Sequence, residues 1–416
     1  MKQAKDYGIT LEGKIDFDKL RIILGDQIDD RVEKYQFTWN GKSNTIKLAQ
    51  SPSTGTLIPS KEDSKNWDTT GNLYIEGDNL EVLKQLQKTY YGKIKMIYID
   101  PPYNTGGDFV YKDDFKDNIK NYKEQTQQTG RANPETNGRY HTDWLNMMYS
   151  RLMLAKNLLS EDGVIFISID DNEDENLSKI CSEIFGEQNF IGKFVVNSTP
   201  NARDYGHIGK MHEYVIFYSK NSANTETYMI PDLNRNFKYN DSHGGFNIHP
   251  LYNSNVAFTN KNRPNLYYPF YVYPGVQEDD FYEIGLIKRD NAIEVFPPKS
   301  VKDNVQFVWR WGKDKATQNL NTEITGYKVN DEYRIVQKMR NSEKLIRSLL
   351  LDKKYSSRRG TAEVENIFNN KLFSFPKPTS LIHSLLQAGA NQDCIVLDFF
   401  SGSATTAHAV MQLNAE

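Results

Sequence analysis

Residues 94–99, Ile-Lys-Met-Ile-Tyr-Ile, form a near-continuous apolar run, and residues 164–169, Val-Ile-Phe-Ile-Ser-Ile, form a second. A strand with no polar face must be covered on both sides, as happens in parallel α/β sheets. The intervening chain agrees. Trp144, Met148, Leu152, Ala155 and Leu159 recur at the helical period, and Asp162-Gly163 should stop that helix ahead of the second strand. Upstream, residues 73–75 read as a strand, Gly77-Asp78-Asn79 as a turn and helix start, and Leu80, Leu83, Leu86 and Tyr90 as the helix's buried face. Downstream come a helix over residues 174–185 and a strand over 214–218. After a long interruption, a helix over 380–388 and a strand over 395–397 follow. Repetition of strand and helix makes a doubly wound α/β sheet the expected fold.

The 416 residues suffice for two or three domains, and 38% hydrophobic content supplies a core, which excludes a disordered chain. No run of about 18 apolar residues occurs and the first residues lack an apolar signal core, so a soluble cytoplasmic protein is expected. Cys181 and Cys394 are too far apart for a disulfide framework or zinc knuckle. His207 and His212 lack a third ligand nearby, and no metal is expected. Residues 1–60 read as an N-terminal extension with a short amphipathic stretch at 17–32. Residues 61–230 carry the first α/β half and include a polar segment, 113–139, long enough to be a functional loop. Residues 231–360 are rich in Asn, Tyr and Pro and show no repeated strand-helix unit, which marks an inserted domain. The α/β pattern returns in residues 361–416.

The net charge of -3 conceals an asymmetry. Residues 299–359 hold 15 Lys and Arg against 7 Asp and Glu, a local +8 on a chain that is otherwise acidic. Such a segment suits a polyanion, although a solvated basic surface accounts for the charge equally well. Within it, Lys353, Lys354, Arg358 and Arg359 flank Tyr355 and are the candidate phosphate contacts. Trp309 and Trp311, around Arg310, suit core packing better than stacking on a base.

Two clusters stand at the ends of apolar strands, where open α/β sheets bind ligands. Asp100-Pro101-Pro102-Tyr103 follows residues 94–99 directly. The prolines offer carbonyls without competing amide donors, and Tyr103 offers a flat face beside the Asp100 acceptor, a corner suited to a planar, amino-bearing base. An exocyclic amine is a poor nucleophile unless acceptors hold its hydrogens and leave its lone pair free. A plain strand-ending turn would have the same composition. The second cluster runs Asp398-Phe399-Phe400-Ser401-Gly402-Ser403-Ala404-Thr405 and opens a helix. Amides at the turn can take a carboxylate and Asp398 an ammonium, which matches the methionine end of S-adenosylmethionine. An ordinary strand-to-helix turn is the competing account.

Together the two clusters resemble the amino-group DNA methyltransferases, which pair a DPPY tetrapeptide with an FxGxG-type loop. Asp100 to Tyr103 match the tetrapeptide fully. Phe400-Ser401-Gly402-Ser403-Ala404 match the loop, with Ala404 in the place of its last glycine. The tetrapeptide precedes the loop with a basic insert between, as in the beta-type, circularly permuted order in which a target-recognition domain interrupts a Rossmann-like sheet. Further likeness at residues 35–42, 72–104 and 144–170, at His212-Glu213-Tyr214 and at Phe375-Pro376-Lys377-Pro378 is to the modification (Mod) subunits of type III restriction-modification systems.

The resemblance implies transfer of a methyl group from S-adenosylmethionine to adenine N6 in duplex DNA, since N4-cytosine members usually have Ser at the Asp100 position. It implies a catalytic role for Asp100, Pro101, Pro102 and Tyr103, with the flipped base stacked on Tyr103. It implies cofactor contacts from Asp398, Phe400, Gly402, Ser403 and Thr405, and from Phe375 and Lys377 beside the methionine pocket. The implied partners are double-stranded DNA, a second copy of the chain and a restriction helicase-nuclease (Res) subunit. The family continues with further strands after the cofactor loop, so the chain reads as ending early at Glu416, with a C-terminal fragment as another expected partner. A non-catalytic DNA-binding or assembly subunit and an N4-cytosine methyltransferase are the alternatives.

Overall fold

The computed structural model describes residues 10–11, 14–15, 36–105, 139–202, 207–232 and 235–416. The amphipathic stretch at 17–32 and most of the polar segment at 113–139 lie outside them. The chain forms two compact units, one of Met1–Glu226 with Arg347–Glu416 and one of Thr227–Ile346.

The first unit is built on β1 (Ile94–Ile99), β2 (Leu159–Ile169), β3 (Phe190–Val196), β4 (Glu213–Ser219), β5 (Leu349–Leu350) and β6 (Ile395–Leu397), in the order β5-β3-β4-β2-β1-β6. Only β4 runs antiparallel to its neighbours. Five strands therefore end along one edge of the sheet, and β4 begins there. Asp100 and Asp398 leave β1 and β6 at that edge, and Glu213 enters β4 at it.

Helices α1 (Lys42–Gln50), α2 (Asn79–Tyr90), α3 (Arg139–Leu158), α4 (Asp174–Phe185), α5 (Ser357–Phe368), α6 (Thr379–Gly389) and α7 (Thr405–Ala415) complete the unit. Trp144, Leu152 and Leu158 of α3, Leu83 of α2 and Leu177 of α4 share a core with Ile97 and Ile165 on one face of the sheet. On the other face, Gly389 of α6 packs so closely on β2 that an added Cβ would lie 2.7 Å from the Phe166 ring. With both faces covered, all six residues of β1 are buried, as its composition requires. Asp78 caps α2, its carboxylate accepting from the Glu81 amide at 3.0 Å, a bond worth about 1 kcal/mol.

Two local expectations differ from the fold. Residues 73–75 form no strand: they have no neighbouring strand to pair with, Leu73 and Tyr74 are 70% and 76% exposed, and only Ile75 packs on the core. The helix before β2 stops at Leu158, and Asp162-Gly163 lies inside the strand. There Ile94 pairs with Leu159 and Met96 with Val164, so residues 160–163 bulge opposite Lys95, whose ammonium reaches the Asp162 carboxylate at 2.7 Å.

The second unit is a seven-stranded antiparallel sheet, in the order Ile293–Val295, Phe270–Glu278, Phe281–Gly285, Ile324–Val329, Glu332–Met339, Gly244–Pro250, Tyr239–Asp241. Its abundant Asn and Asp are turn chemistry: Asp279, Asn291, Asn304, Asn321, Asn330 and Asp331 all have positive φ. Asn330-Asp331 form the two-residue loop of a hairpin. Trp309 fills the core, 1% exposed, its indole N–H donating to the Tyr268 carbonyl at 2.7 Å.

This unit ends at Ile346, so residues 347–360, placed by sequence in the insert, belong to the first unit. They pair as β5 with β3 and begin α5. The 13 residues 347–359 carry five Lys and Arg against one Asp, half of the local +8, and so half of that charge sits on the α/β unit.

Candidate active site

Three segments converge at the carboxyl edge of the α/β sheet. The first is the Asp100 corner. Trp144 of α3 donates its indole N–H to the Pro102 carbonyl at 2.7 Å and holds the turn down. Asn104 stands in the left-handed region at φ 60° and anchors the far end of the turn by donating to Glu173, a fully buried carboxylate that also meets His141 Nδ1 at 2.6 Å.

Lys377 comes from the segment before α6. Gly360 admits it: a Cβ there would overlap the Pro376 carbonyl, so only glycine lets α5 pack against this backbone. The Lys377 ammonium lies 2.9 Å from Asp100 Oδ1 and 3.5 Å from Glu213 Oε1. It donates to the Tyr103 hydroxyl at 2.8 Å and stands 4.8 Å from that ring's centre. The Tyr103 hydroxyl in turn donates to Glu213 Oε2 at 3.5 Å.

Burial alone would push the Lys377 pKa down, but the Asp100 and Glu213 carboxylates outweigh it and hold the group above the ordinary lysine value. Burial raises Glu213, and Lys377 offsets this only in part. Tyr103 is raised well above 10, by burial first and then by the two carboxylates, so its hydroxyl keeps its proton. Asp100 Oδ1 is buried and is held by its ion pair with the Lys377 ammonium.

The third segment is the loop after β6. Asp398 Oδ1 accepts from the Phe400 amide at 2.9 Å and Oδ2 from the Thr406 hydroxyl at 2.6 Å. Among the described residues no cation pairs with Asp398, and burial pushes its pKa up to about 7. Gly402 has φ 51°, and Ala404 repeats the left-handed conformation at φ 57°. That conformation costs an alanine roughly 1 kcal/mol and explains why glycine is favoured at the position. Ser403 and Thr405 hydroxyls lie 2.9 Å apart, and Thr405 donates to the Lys377 carbonyl at 3.1 Å. Asn79 of α2 donates to the Phe399 carbonyl at 2.8 Å and accepts from the buried Arg151 at 2.6 Å, tying the loop to the core. A cleft of about 250 Å³ opens beside it, lined by Ser403, Ala404, Thr405, Lys377, Val364 and Met411.

Most of the residues singled out from sequence thus meet at one edge. Lys377 differs in detail: only its carbonyl reaches the Asp398 loop, while its ammonium faces Asp100. Phe375 is 64% exposed with φ 56°, and Phe373 instead lies over Gly402. Lys353, Lys354, Arg358 and Arg359 are exposed on the α/β unit, with Arg359 3.4 Å from Glu363. Glu213 was not singled out as a site residue, because nothing local shows that β4 runs antiparallel and delivers its first residue to this edge.

Comparison with known proteins places this geometry in a family. The model described as "N6_N4_Mtase: DNA methylase" matches residues 94–416. The EcoPI Mod subunit of Escherichia phage P1, of a type III restriction-modification enzyme, is 35% identical over 95% of this chain and 64% of its own length. The EcoP15I Mod subunit of Escherichia coli is 32% identical over the same shares. The type II methyltransferase M.KpnI of Klebsiella pneumoniae is 33% identical over 83% of this chain and 78% of its own. The chain belongs to the N6/N4 DNA methylase family. It spans a little under two thirds of the Mod subunits' length. Among solved structures, the cytosine-N4-specific PvuII DNA methyltransferase aligns at TM-score 0.38 and 10% identity, covering 81% of this chain and 77% of that one.

Proposed function

We propose that the chain transfers a methyl group from S-adenosylmethionine to adenine N6 in double-stranded DNA, as the modification subunit of a type III restriction-modification system. The observation that carries the reading is the Asp100 carboxylate, ion-paired to Lys377 beside Tyr103, at the sheet edge that also bears Asp398. Asp398 suits the cofactor's ammonium, being a half-buried carboxylate with two neutral donors and no cation among the described residues. Gly402, Ser403 and the start of α7 suit its carboxylate. When bound, the cofactor supplies an electrophilic methyl on a sulfonium.

The protein's part is to hold and orient. Asp100 and the Pro101 carbonyl accept the two amine hydrogens, so that the nitrogen lone pair points at the methyl group, and Tyr103 stacks on the base after it leaves the duplex. Lys353, Lys354, Arg358 and Arg359 contact phosphates, and a second copy of the chain and a restriction helicase-nuclease complete the assembly. No described helix is long and apolar enough to cross a membrane.

The test is transfer of labelled methyl to duplex DNA by the purified chain and by Asp100→Ala. The variant should lose transfer while keeping cofactor and DNA affinities within about tenfold. Equal turnover by both proteins would remove the assignment.

A further inference from the structure

Glu213 is nearly enclosed, 8% exposed, and its carboxylate meets two groups, the Lys377 ammonium and the Tyr103 hydroxyl, each at 3.5 Å. Lys377 meets Asp100 at 2.9 Å. One ammonium thus stands between two carboxylates. We infer that Glu213 is a positioning residue for methyl transfer: it shares the Lys377 charge, so that Asp100 remains an anionic acceptor for the target amine. The inference rests on the methyl-transfer reading.

Lys377 and the target amine compete for the Asp100 carboxylate. A carboxylate facing an undivided ammonium forms a charge-assisted hydrogen bond, roughly twice as strong as one to a neutral donor. An adenine amine is a neutral donor and must share the carboxylate with that bond. Lys377 has three N–H groups, of which one goes to Tyr103, and its charge is shared between Asp100 at 2.9 Å and Glu213 at 3.5 Å. Lys377 in turn fixes the Tyr103 ring by hydrogen bond and by its charge over the face. Glu213 therefore reconciles two needs, a cation to hold the stacking ring and a free anion beside it.

A residue that merely fills the core would behave differently, and three variants of the full chain separate the two roles: Glu213→Gln, Lys377→Met and the double variant. With saturating cofactor and duplex DNA, Glu213→Gln should lose roughly 10- to 100-fold in kcat with both KM values within about threefold. The double variant should match Lys377→Met, because with no ammonium present Glu213 has no charge to share. Unchanged kcat in Glu213→Gln would overturn the inference, as would a double variant clearly worse than Lys377→Met. If thermal melting shows Glu213→Gln unfolded, Lys377→Met against the double variant decides: equal kcat supports the inference, and a further loss in the double variant overturns it. A wild-type chain that transfers no methyl overturns the proposed function and this inference together. An active wild type with contrary variants overturns the inference alone.

Discussion

Asp398 should make cofactor binding depend on pH in a defined way. Burial pushes its pKa from 3.8 to about 7, and the Thr406 and Phe400 bonds only soften the effect. A carboxyl group whose pKa is raised on folding favours the folded chain most at low pH, and that contribution is lost as pH rises from about 4 through 7. The ionised form then costs the unliganded chain roughly 4 kcal/mol. An ammonium ligand prefers that ionised form, so binding near pH 6 must expel the proton. Affinity then follows the ionised fraction and should rise about eightfold between pH 5.5 and 6.5. It should bend over above pH 7, where an α-amino group with its usual pKa of about 7.7 to 8.0 begins to lose its own charge. Calorimetry with S-adenosylmethionine, in two buffers of different ionisation enthalpy at pH 6.5, should find about three quarters of a proton released per site. Asp398→Asn should flatten the rising limb. An affinity constant across pH 5.5 to 6.5, or an Asp398→Asn slope equal to wild type, would refute the assignment of Asp398 to the ammonium.

Three further outcomes follow from the site. Tyr103→Phe, which keeps the ring, should retain more methyl transfer than Tyr103→Ala, as read from kcat on duplex DNA. Ala404→Gly should raise stability to chemical denaturation by up to roughly 1 kcal/mol, because glycine adopts the φ of 57° without strain. Replacing Lys353, Lys354, Arg358 and Arg359 by Ala should weaken binding to all DNA sequences alike and reduce the slope of log affinity against log salt by roughly 0.9 per lost phosphate contact. An unchanged slope would return the cluster to an ordinary solvated surface.

The part of the fold legible in the sequence is the part set by local pattern. Residues 94–99 and 164–169 announce covered strands because nearly every side chain in them is apolar, Lys95 and Ser168 being the exceptions. Asp100 and Asp398 announce sites because polar residues end those strands. What escaped depends on contacts distant in sequence. Glu213 reaches the corner only through the antiparallel pairing of β4 with β2 and β3. Lys377 turns to Asp100 because α5 packs at Gly360, 17 positions earlier. The second unit's sheet was hidden by its own turn chemistry, since Asn-rich stretches read as irregular until their hairpins pair. Residues 347–359 looked like more of the insert because β5 is two residues long and has no pattern of its own.

This corner should methylate an adenine amine. Digestion of duplex DNA after incubation with the chain and S-adenosylmethionine, followed by mass spectrometry of the nucleosides, tests it most directly. The account predicts N6-methyldeoxyadenosine with the wild-type chain and none with Asp100→Ala. N4-methyldeoxycytidine as the product, or no methylated nucleoside, would contradict it.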